Sequence, residues 1–431
     1  MIHSAEVFLW GTRIGVVSAN DSDAASFQYD KNFLTSKIEL SPLAMPLGPQ
    51  VYSFPTLNKE SFKGLPGLLS DSLPDYFGDE IVKEFLRSEG RSLDSLTPIE
   101  RLCYTGKRGM GALEFVPANG PRDDENETLD IEKMSKLASD VLSKREDLAI
   151  RKEDATAASL LKFGTSAGGA RAKAIIAIDK KSGEICSGQI ANKKDYSYWI
   201  IKFDEVENNG DYGLVDPKGF TRVEYAYFLM ATDCGIKMNE CRLYELNGKS
   251  HFMTKRFDRD ENSGDKIHMQ TLAALAHLDY KTPRVCSYEK LVQICYMIGL
   301  GQNEIEQIFR RMVFNCLAVN CDDHVKNVSF LMDKSGRWKL APAYDLTFSY
   351  NPDSFWVSEH QMTVNQKSKE INSHDMLAAA SFMNISEAKA RLIIGEVKET
   401  LSCWPDYASA AGVKQGFIDS IGKMIADNLV L

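Results

Sequence analysis

Phe314–Tyr350 reads FNCLAVNCDDHVKNVSFLMDKSGRWKLAPAYDLTFSY, and the rest of the chain is organised around it. Before it, Ile305, Ile308, Phe309, Met312, Val313, Cys316 and Leu317 recur at helical spacing, which predicts a core helix over Glu304–Val319. A polar loop comes next, with Asn320, Asp322, Asp323, His324, Lys326 and Asn327. Val328–Met332 is strand-like, and a Gly-containing turn then leads to a second strand and to Asp345 in Ala-Tyr-Asp-Leu. Both flanking elements look buried, so the polar groups between them are expected to face a cleft rather than bulk water.

The spacing has a chemical reading. Asp322 and Asn327 stand five residues apart and a further carboxylate, Asp345, follows a hairpin. In phosphoryl transfer a loop Asp accepts the hydroxyl proton, an Asn five residues on binds metal, and a carboxylate beyond a strand pair holds the Mg²⁺ on the ATP phosphates. Only Asp322, not Asp323, gives that interval. Lys326 can neutralise the transferring phosphoryl, and His324 is read either as nucleotide-facing or as a satisfied structural side chain. A metal-hydrolase reading of Asp322-Asp-His324 lacks an HExxH or any second spaced ligand pair.

Composition narrows the setting. The 431 residues suffice for two or three domains, and 44% hydrophobic with 26% charged residues is ordinary for a globular protein. A net charge of −9 argues against tight nucleic-acid binding by this chain alone, because phosphate contacts need clustered Lys and Arg. The opening MIHSAEVFLWGTR has no basic leader before an apolar core, and no apolar run is long enough for a bilayer. Nine cysteines without a CxxC fit reduced cytoplasm better than a disulfide framework.

Upstream, residues 5–18 and 26–40 carry β-type alternation around a polar turn at Asn20–Asp23, and Asp71–Pro74 is read as the cap of an amphipathic helix over Tyr76–Arg87. The acidic, Pro- and Gly-containing stretch 117–130 separates this accessory α/β block, residues 1–118, from the remainder of the chain. A helix is expected over Ile131–Leu148. Then Lys162-Phe-Gly-Thr-Ser-Ala-Gly-Gly-Ala-Arg-Ala-Lys173 feeds the strand-like 174–178. This loop matches neither GxxxxGK[ST] nor GxGxxG. Its glycines, with Ser166 and Lys173, nevertheless suit a phosphate cradle; a plain turn or bulge is the alternative.

In the strand Tyr198–Phe203, Lys202 either snorkels to solvent or serves as the nucleotide lysine, with Glu224 on the helix Phe220–Gly235 as acidic partner. Glu224 is read in that helix's first turn, where the dipole alone favours an acid, and Tyr225, Phe228, Leu229 and Ala231 are read as its apolar surface. Strands near Leu243–Glu245 and Phe252–Phe257 flank a turn at Asn247–Gly248, and Lys255–Phe257 is placed by order as an adenine-binding hinge. Helices are expected near 288–299, 304–319, 383–401 and 414–429.

Taken together, Ser166–Lys173, Ile200-Ile-Lys202, Arg256-Phe-Asp-Arg259, Asp322-Asp-His-Val-Lys-Asn327 and Tyr344-Asp345-Leu resemble the HipA-type serine/threonine kinases, toxins of bacterial toxin–antitoxin modules. The Gly64–Leu73 segment resembles that family's small N-terminal domain, and Glu359-His-Gln-Met-Thr-Val-Asn365 a further signature. The resemblance implies an α+β, two-lobed protein-kinase-like fold: accessory domain 1–118, N-lobe 130–257 and α-rich C-lobe 258–431. It implies ATP and Mg²⁺, with Asp322 as catalytic base and Asn327 and Asp345 as metal ligands. Nucleotide contacts would come from Ser166, Gly168, Gly169, Ala170, Lys173, Lys202, Lys255, Phe257, His324 and Lys326.

By the same resemblance Ser166 is the autophosphorylated serine, and the target is a protein such as an aminoacyl-tRNA synthetase, notably the glutamyl enzyme. The partner is a small HipB-like helix-turn-helix antitoxin that carries any DNA contact, with no membrane. Two departures stand out: Arg171-Ala172 in the Gly-rich loop, and Asp323, which is expected to add negative charge beside the metal site. A small-molecule or lipid kinase, or a catalytically weak co-repressor subunit, are the rival readings.

Overall fold

The computed structural model describes residues 2–19, 24–88, 90–119, 129–142, 171–189, 194–204, 206 and 217–430. The chain divides into two units. The first comprises the described residues up to 211 with Met253–Gln270 and Leu331–Arg337; the second comprises those of 212–252, Thr271–Phe330 and Trp338–Leu431. The Gly-rich loop from Lys162 to Ala170, with its Ser166, Gly168, Gly169 and Ala170, lies outside the described residues, as does the turn at Asn20–Asp23.

The first unit begins with an antiparallel sheet of β1 (Ser4–Leu9), β2 (Thr12–Ser18), β3 (Ser26–Tyr29), β4 (Val51–Ser53) and β5 (Leu113–Val116), in the order β4-β3-β2-β1-β5. The alternation read across 5–18 is therefore a hairpin, turned at Trp10 and Gly11, both at positive φ. Beyond Tyr29 the alternation does not continue as strand, because Phe33–Ser36 forms a 3₁₀ turn. Gly15 pairs with Tyr29 and lies against Phe27, where any Cβ would collide with the Phe27 ring. Two helices accompany this sheet, α1 (Tyr76–Ser88) and α2 (Pro98–Thr105). The first turn of α1 is closed by Asp79 N–H on the Asp75 carbonyl at 2.8 Å, whereas Asp71 ends the preceding short helix, so the true start lies four residues beyond the expected cap. In α2, Thr97 and Glu100 form a reciprocal capping box with Pro98 in the first turn.

Helix α3 (Ile131–Leu142) and a second antiparallel group come next: β6 (Lys173–Asp179), β7 (Ile185–Ser187) and β8 (Tyr196–Lys202). β6 pairs with both neighbours, and its Ala174–Ala177 run is fully buried. Segment 253–270 belongs to the same unit, where a buried ion cluster holds it. Asp258 accepts from Arg256 Nε and Nη2 at 2.8 and 2.7 Å, from Arg259 Nη1 at 2.8 Å, and from the Gly111 N–H at 2.8 Å. Burial opposes the Asp258 charge, but the two guanidiniums hold its carboxyl well below the usual range.

In the second unit α4 (Phe220–Asp233) buries Val223, Glu224, Ala226, Tyr227, Met230 and Ala231. Of the side chains expected to form its apolar face, Tyr225, Phe228 and Leu229 are only half-buried, and Glu224 sits beyond the first turn. β9 (Cys241–Leu246) and β10 (Lys249–Lys255) form a hairpin through Asn247 and Gly248, both at positive φ as a two-residue turn requires. Helices α5 (Tyr288–Met297) and α6 (Gln302–Leu317) precede the hairpin of β11 (Ser329–Met332) and β12 (Trp338–Leu340). Four helices close the unit: α7 (Ser373–Phe382), α8 (Glu387–Ser402), α9 (Trp404–Ala410) and α10 (Gln415–Leu429). The expected helix at 383–401 starts late because Asn384 takes a positive φ and Ser386 caps at Lys389 N–H. The core centres on α6: Phe309, Met312, Val313 and Phe314 are fully buried, and Tyr227 packs edge-on against Phe314 and Trp404. Burying each such side chain is worth about 1.5–3 kcal/mol, enough to make this helix a rigid base for the loop it carries.

Candidate active site

Helix α6 ends at Leu317, and the chain must then reverse into the polar loop. Val319 takes a positive φ, and Tyr227 Oη donates to the Ala318 carbonyl at 2.5 Å. Asn320 is pinned to α6, with its N–H on the Asn315 carbonyl at 3.0 Å and its Nδ2 on Asn315 Oδ1 at 2.9 Å. On the other side Cys321 N–H donates to Ser349 C=O at 2.9 Å and Ser349 N–H to Val319 C=O at 3.0 Å. The loop thus leaves the helix with its backbone fixed on both flanks.

Consecutive side chains on this extended segment part company. Asp322 is partly exposed; its Oδ1 accepts from Trp356 Nε1 at 2.7 Å and lies 3.7 Å from His324 Nε2. Asn327 Nδ2 donates to the Asp322 carbonyl at 2.9 Å, and Asn327 N–H to the His324 carbonyl at 2.9 Å. The five-residue interval is therefore a closed turn. His324 Nδ1 accepts the Lys326 N–H at 3.1 Å, so its other nitrogen carries the ring proton toward Asp322 when the ring is neutral. Lys326 Nζ lies 4.6 Å above the Tyr280 ring, and its carbonyl accepts from Tyr344 Oη at 2.7 Å.

Asp345 comes directly after Tyr344 and takes a positive φ of 54°, a conformation only sparsely open to a side chain-bearing residue. It lines an open cavity with Asp323, His324, Asn327, Tyr344 and Arg311. Asn327 commits its amide N–H to the loop carbonyl, which turns Oδ1 into the ligand it can offer a cation. Among the described residues no cluster of three or more His, Cys, Asp or Glu could hold a metal. Mg²⁺ is held by one or two oxygen side chains together with substrate phosphates and water rather than by an all-protein cage. Asn327 and Asp345 fit such an ion.

Asp323 has a second set of contacts that the sequence did not show. Its carboxylate is only 3% exposed and tied to buried groups, yet it lines the same cavity as Asn327 and Asp345, so it stands beside the expected metal site rather than on an exposed face. Oδ1 accepts from the Gln361 N–H at 2.7 Å, and Oδ2 accepts from Tyr288 Oη at 2.9 Å and lies 3.3 Å from His360 Nδ1. Asn315 Nδ2 donates in turn to Tyr288 Oη at 3.0 Å. Burial, then the Asp323 charge, pushes the Tyr288 phenol far above its ordinary pKa. Burial works against protonating His360, yet Cys321, Asp323 and Cys316 around it hold its pKa well above the usual histidine range. Trp356, His360 and Gln361 are the residues that sequence reasoning missed as parts of the site. For His360 and Gln361 the one signal was the Glu359–Asn365 motif; Trp356, three residues before it, had none.

The sequence-based nucleotide residues of the first unit divide. Lys173 and Lys202 are direct cross-strand partners between β6 and β8, 4% and 6% exposed. The snorkelling alternative for Lys202 therefore fails. Lys255 is ion-paired with Glu261 at the surface, and Phe257 is half-buried beside the Arg256–Asp258 pair.

Known proteins share this architecture. The model of the HipA-like C-terminal domain matches residues 165–404, and that of the HipA N-terminal domain residues 5–116. A Haemophilus influenzae protein described as "Putative kinase" is 28% identical over 179 residues, covering 36% of this chain and 51% of that protein. The chain thus spans about half the length of this curated relative. Among solved structures, HipA from the Shewanella oneidensis MR-1 toxin–antitoxin complex with HipB and operator DNA superposes with a TM-score of 0.65 at 18% identity, over 99% of this chain and 96% of that one. The Helicobacter pylori proinflammatory kinase CtkA reaches a TM-score of only 0.34 at 13% identity, over 54% of this chain and 86% of its own. The expected α+β, kinase-like fold is thereby met, since the superposition with HipA takes in nearly the whole of both chains. With its C-terminal model spanning more than half of the sequence and its N-terminal model most of the remainder, the chain belongs to the HipA family.

Proposed function

We propose that this protein is the kinase toxin of a toxin–antitoxin module and transfers the γ-phosphoryl group of ATP to a serine or threonine hydroxyl of a protein. The observation that carries the reading is the closed Asp322–Asn327 turn in the same unit as Asp345, with Asn327 and Asp345 on one cavity. Asp322 takes the proton of the acceptor hydroxyl as its oxygen bonds to the γ-phosphorus and the bond to ADP breaks. Asn327 and Asp345 hold Mg²⁺, which when bound neutralises charge on the phosphates. Lys202 and Lys173 pair with nucleotide phosphate oxygens, and Lys326 with the group in transfer. His324 orients the Asp322 carboxylate through Nε2. Ser166, in the Gly-rich loop, is the autophosphorylation site of this reading.

The partner is a HipB-like helix-turn-helix antitoxin, since the HipA of similar fold was solved with HipB and operator DNA. A chain with net charge −9 leaves DNA contact to that partner. The target is a protein of the translation machinery such as an aminoacyl-tRNA synthetase. The test is incubation of purified protein with γ-labelled ATP and Mg²⁺, then peptide mapping and a screen of synthetases as acceptors. Label on Ser166 and on one synthetase supports the proposal. ATP binding without any label, on a chain whose intact mass shows an unmodified loop, favours a regulatory subunit instead.

A further inference from the structure

We infer that Trp356 is a positioning residue for the proton acceptor, holding the Asp322 carboxylate at a fixed angle through its indole N–H. The inference rests on Asp322 being the base and concerns what fixes its orientation. Trp356 Nε1 donates to Asp322 Oδ1 at 2.7 Å across 34 residues of sequence, and Trp356 is 3% exposed. A buried indole must satisfy its N–H somewhere, as Trp404 does on the Ile418 carbonyl at 2.9 Å. Trp356 differs because its acceptor is a carboxylate of the chemical loop, and a hydrogen bond to an ionised group is shorter and stronger than one to a carbonyl.

The indole is itself held. Ser354 Oγ accepts both the Trp356 and Val357 N–H groups, at 3.1 and 3.2 Å, which fixes the turn. The Trp356 carbonyl accepts from the Gln361 side chain, while the Gln361 N–H is bound to Asp323 Oδ1 at 2.7 Å. One segment, Ser354–Gln361, thus grips both adjacent aspartates: Asp323 through its backbone and Asp322 through one ring. The His324 ring lies tilted at 6.1 Å from the Trp356 ring, with its Nε2 3.7 Å from the same Asp322 Oδ1. A base whose rotamer is free stays mostly away from the acceptor proton, and pre-orientation is where such a contact enters the rate.

The test replaces Trp356 by Phe, which keeps an aromatic ring and removes the donor. The expected result is a fall in kcat of roughly ten- to a hundredfold with KM for ATP within about twofold, the loss expected for one bond to a charged group. In an Asp322→Asn background the same change should cost almost nothing further. Should Trp356→Phe fold poorly, 3-benzothienylalanine at the same position keeps the bicyclic ring and exchanges only N–H for sulfur.

A readout independent of turnover is the indole ¹⁵N–H resonance of Trp356 in protein labelled at its five tryptophans. It should move in Asp322→Asn while the other four stay. An unchanged kcat in a folded donor-less variant, or an unmoved resonance, overturns the inference. A parent protein that transfers no phosphate overturns the base assignment and the role of the indole with it, while the resonance still reports whether the contact exists.

Discussion

Replacing Asp323 and Asp322 separately should have opposite consequences, although the two are neighbours in sequence. Asp323→Ala leaves the Gln361 N–H, the Tyr288 hydroxyl and His360 without their common buried acceptor. Removing one member of a buried charged network costs about 3–5 kcal/mol, most of it from the groups left behind. The penalties of the three orphaned groups, about 1–3 kcal/mol each, overlap with that figure rather than adding to it. For a folding unit of about 150–250 residues, 1 kcal/mol moves Tm about 2–4 °C, so Asp323→Ala should melt about 6–20 °C below the parent. Asp322→Asn keeps an oxygen for the Trp356 N–H and sits on a partly exposed face, so its stability should change by about 1 kcal/mol or less. Differential scanning fluorimetry on both variants, with hydrogen exchange across 318–325 and 356–362, reads the contrast. An Asp323→Ala protein that melts within about 2 °C of the parent would refute the assignment of Asp323 as the anchor.

Two further outcomes are expected. Lys202→Met should weaken ATP binding by about tenfold or more, read by calorimetry at fixed Mg²⁺, as expected for loss of the lysine that meets the phosphates; an unchanged affinity would remove Lys202 from the nucleotide site. Burial depresses the His268 pKa from 6.5 to about 3, so the folded chain holds this ring neutral while the unfolded chain protonates it. Its contribution to stability is therefore present above pH 6.5 and is lost progressively as pH falls toward 3. The Tm of the parent should drop more steeply than that of His268→Phe between pH 6.5 and 4.5, and parallel slopes would contradict this.

How much of the site was legible depended on whether its signal was local. The Asp322–Asn327 interval and the hairpin before Asp345 could be read because a short turn and a strand pair are properties of adjacent residues. Lys202 could be placed on a strand, but its burial could not, since alternation assigns a face without saying what covers it. The anchoring contacts of Asp323 were not legible for the same reason: Tyr288, His360 and Gln361 arrive from segments 35 to 38 residues away. The hairpin at Trp10–Gly11 was missed because a positive-φ Trp is not an ordinary turn signal. The core face of α4 was misplaced because its aromatic residues line both sides of the helix, so periodicity alone did not select one.

The most direct test of the account is single-turnover transfer from γ-labelled ATP in Mg²⁺ by the parent and by Asp322→Asn, each with its intact mass checked for a prior phosphate. The account predicts label moving to protein in the parent and a rate at least about a hundredfold lower in the variant, because the base and its positioning are lost together. Equal rates, or no transfer by a parent that binds ATP and carries no phosphate, would contradict it.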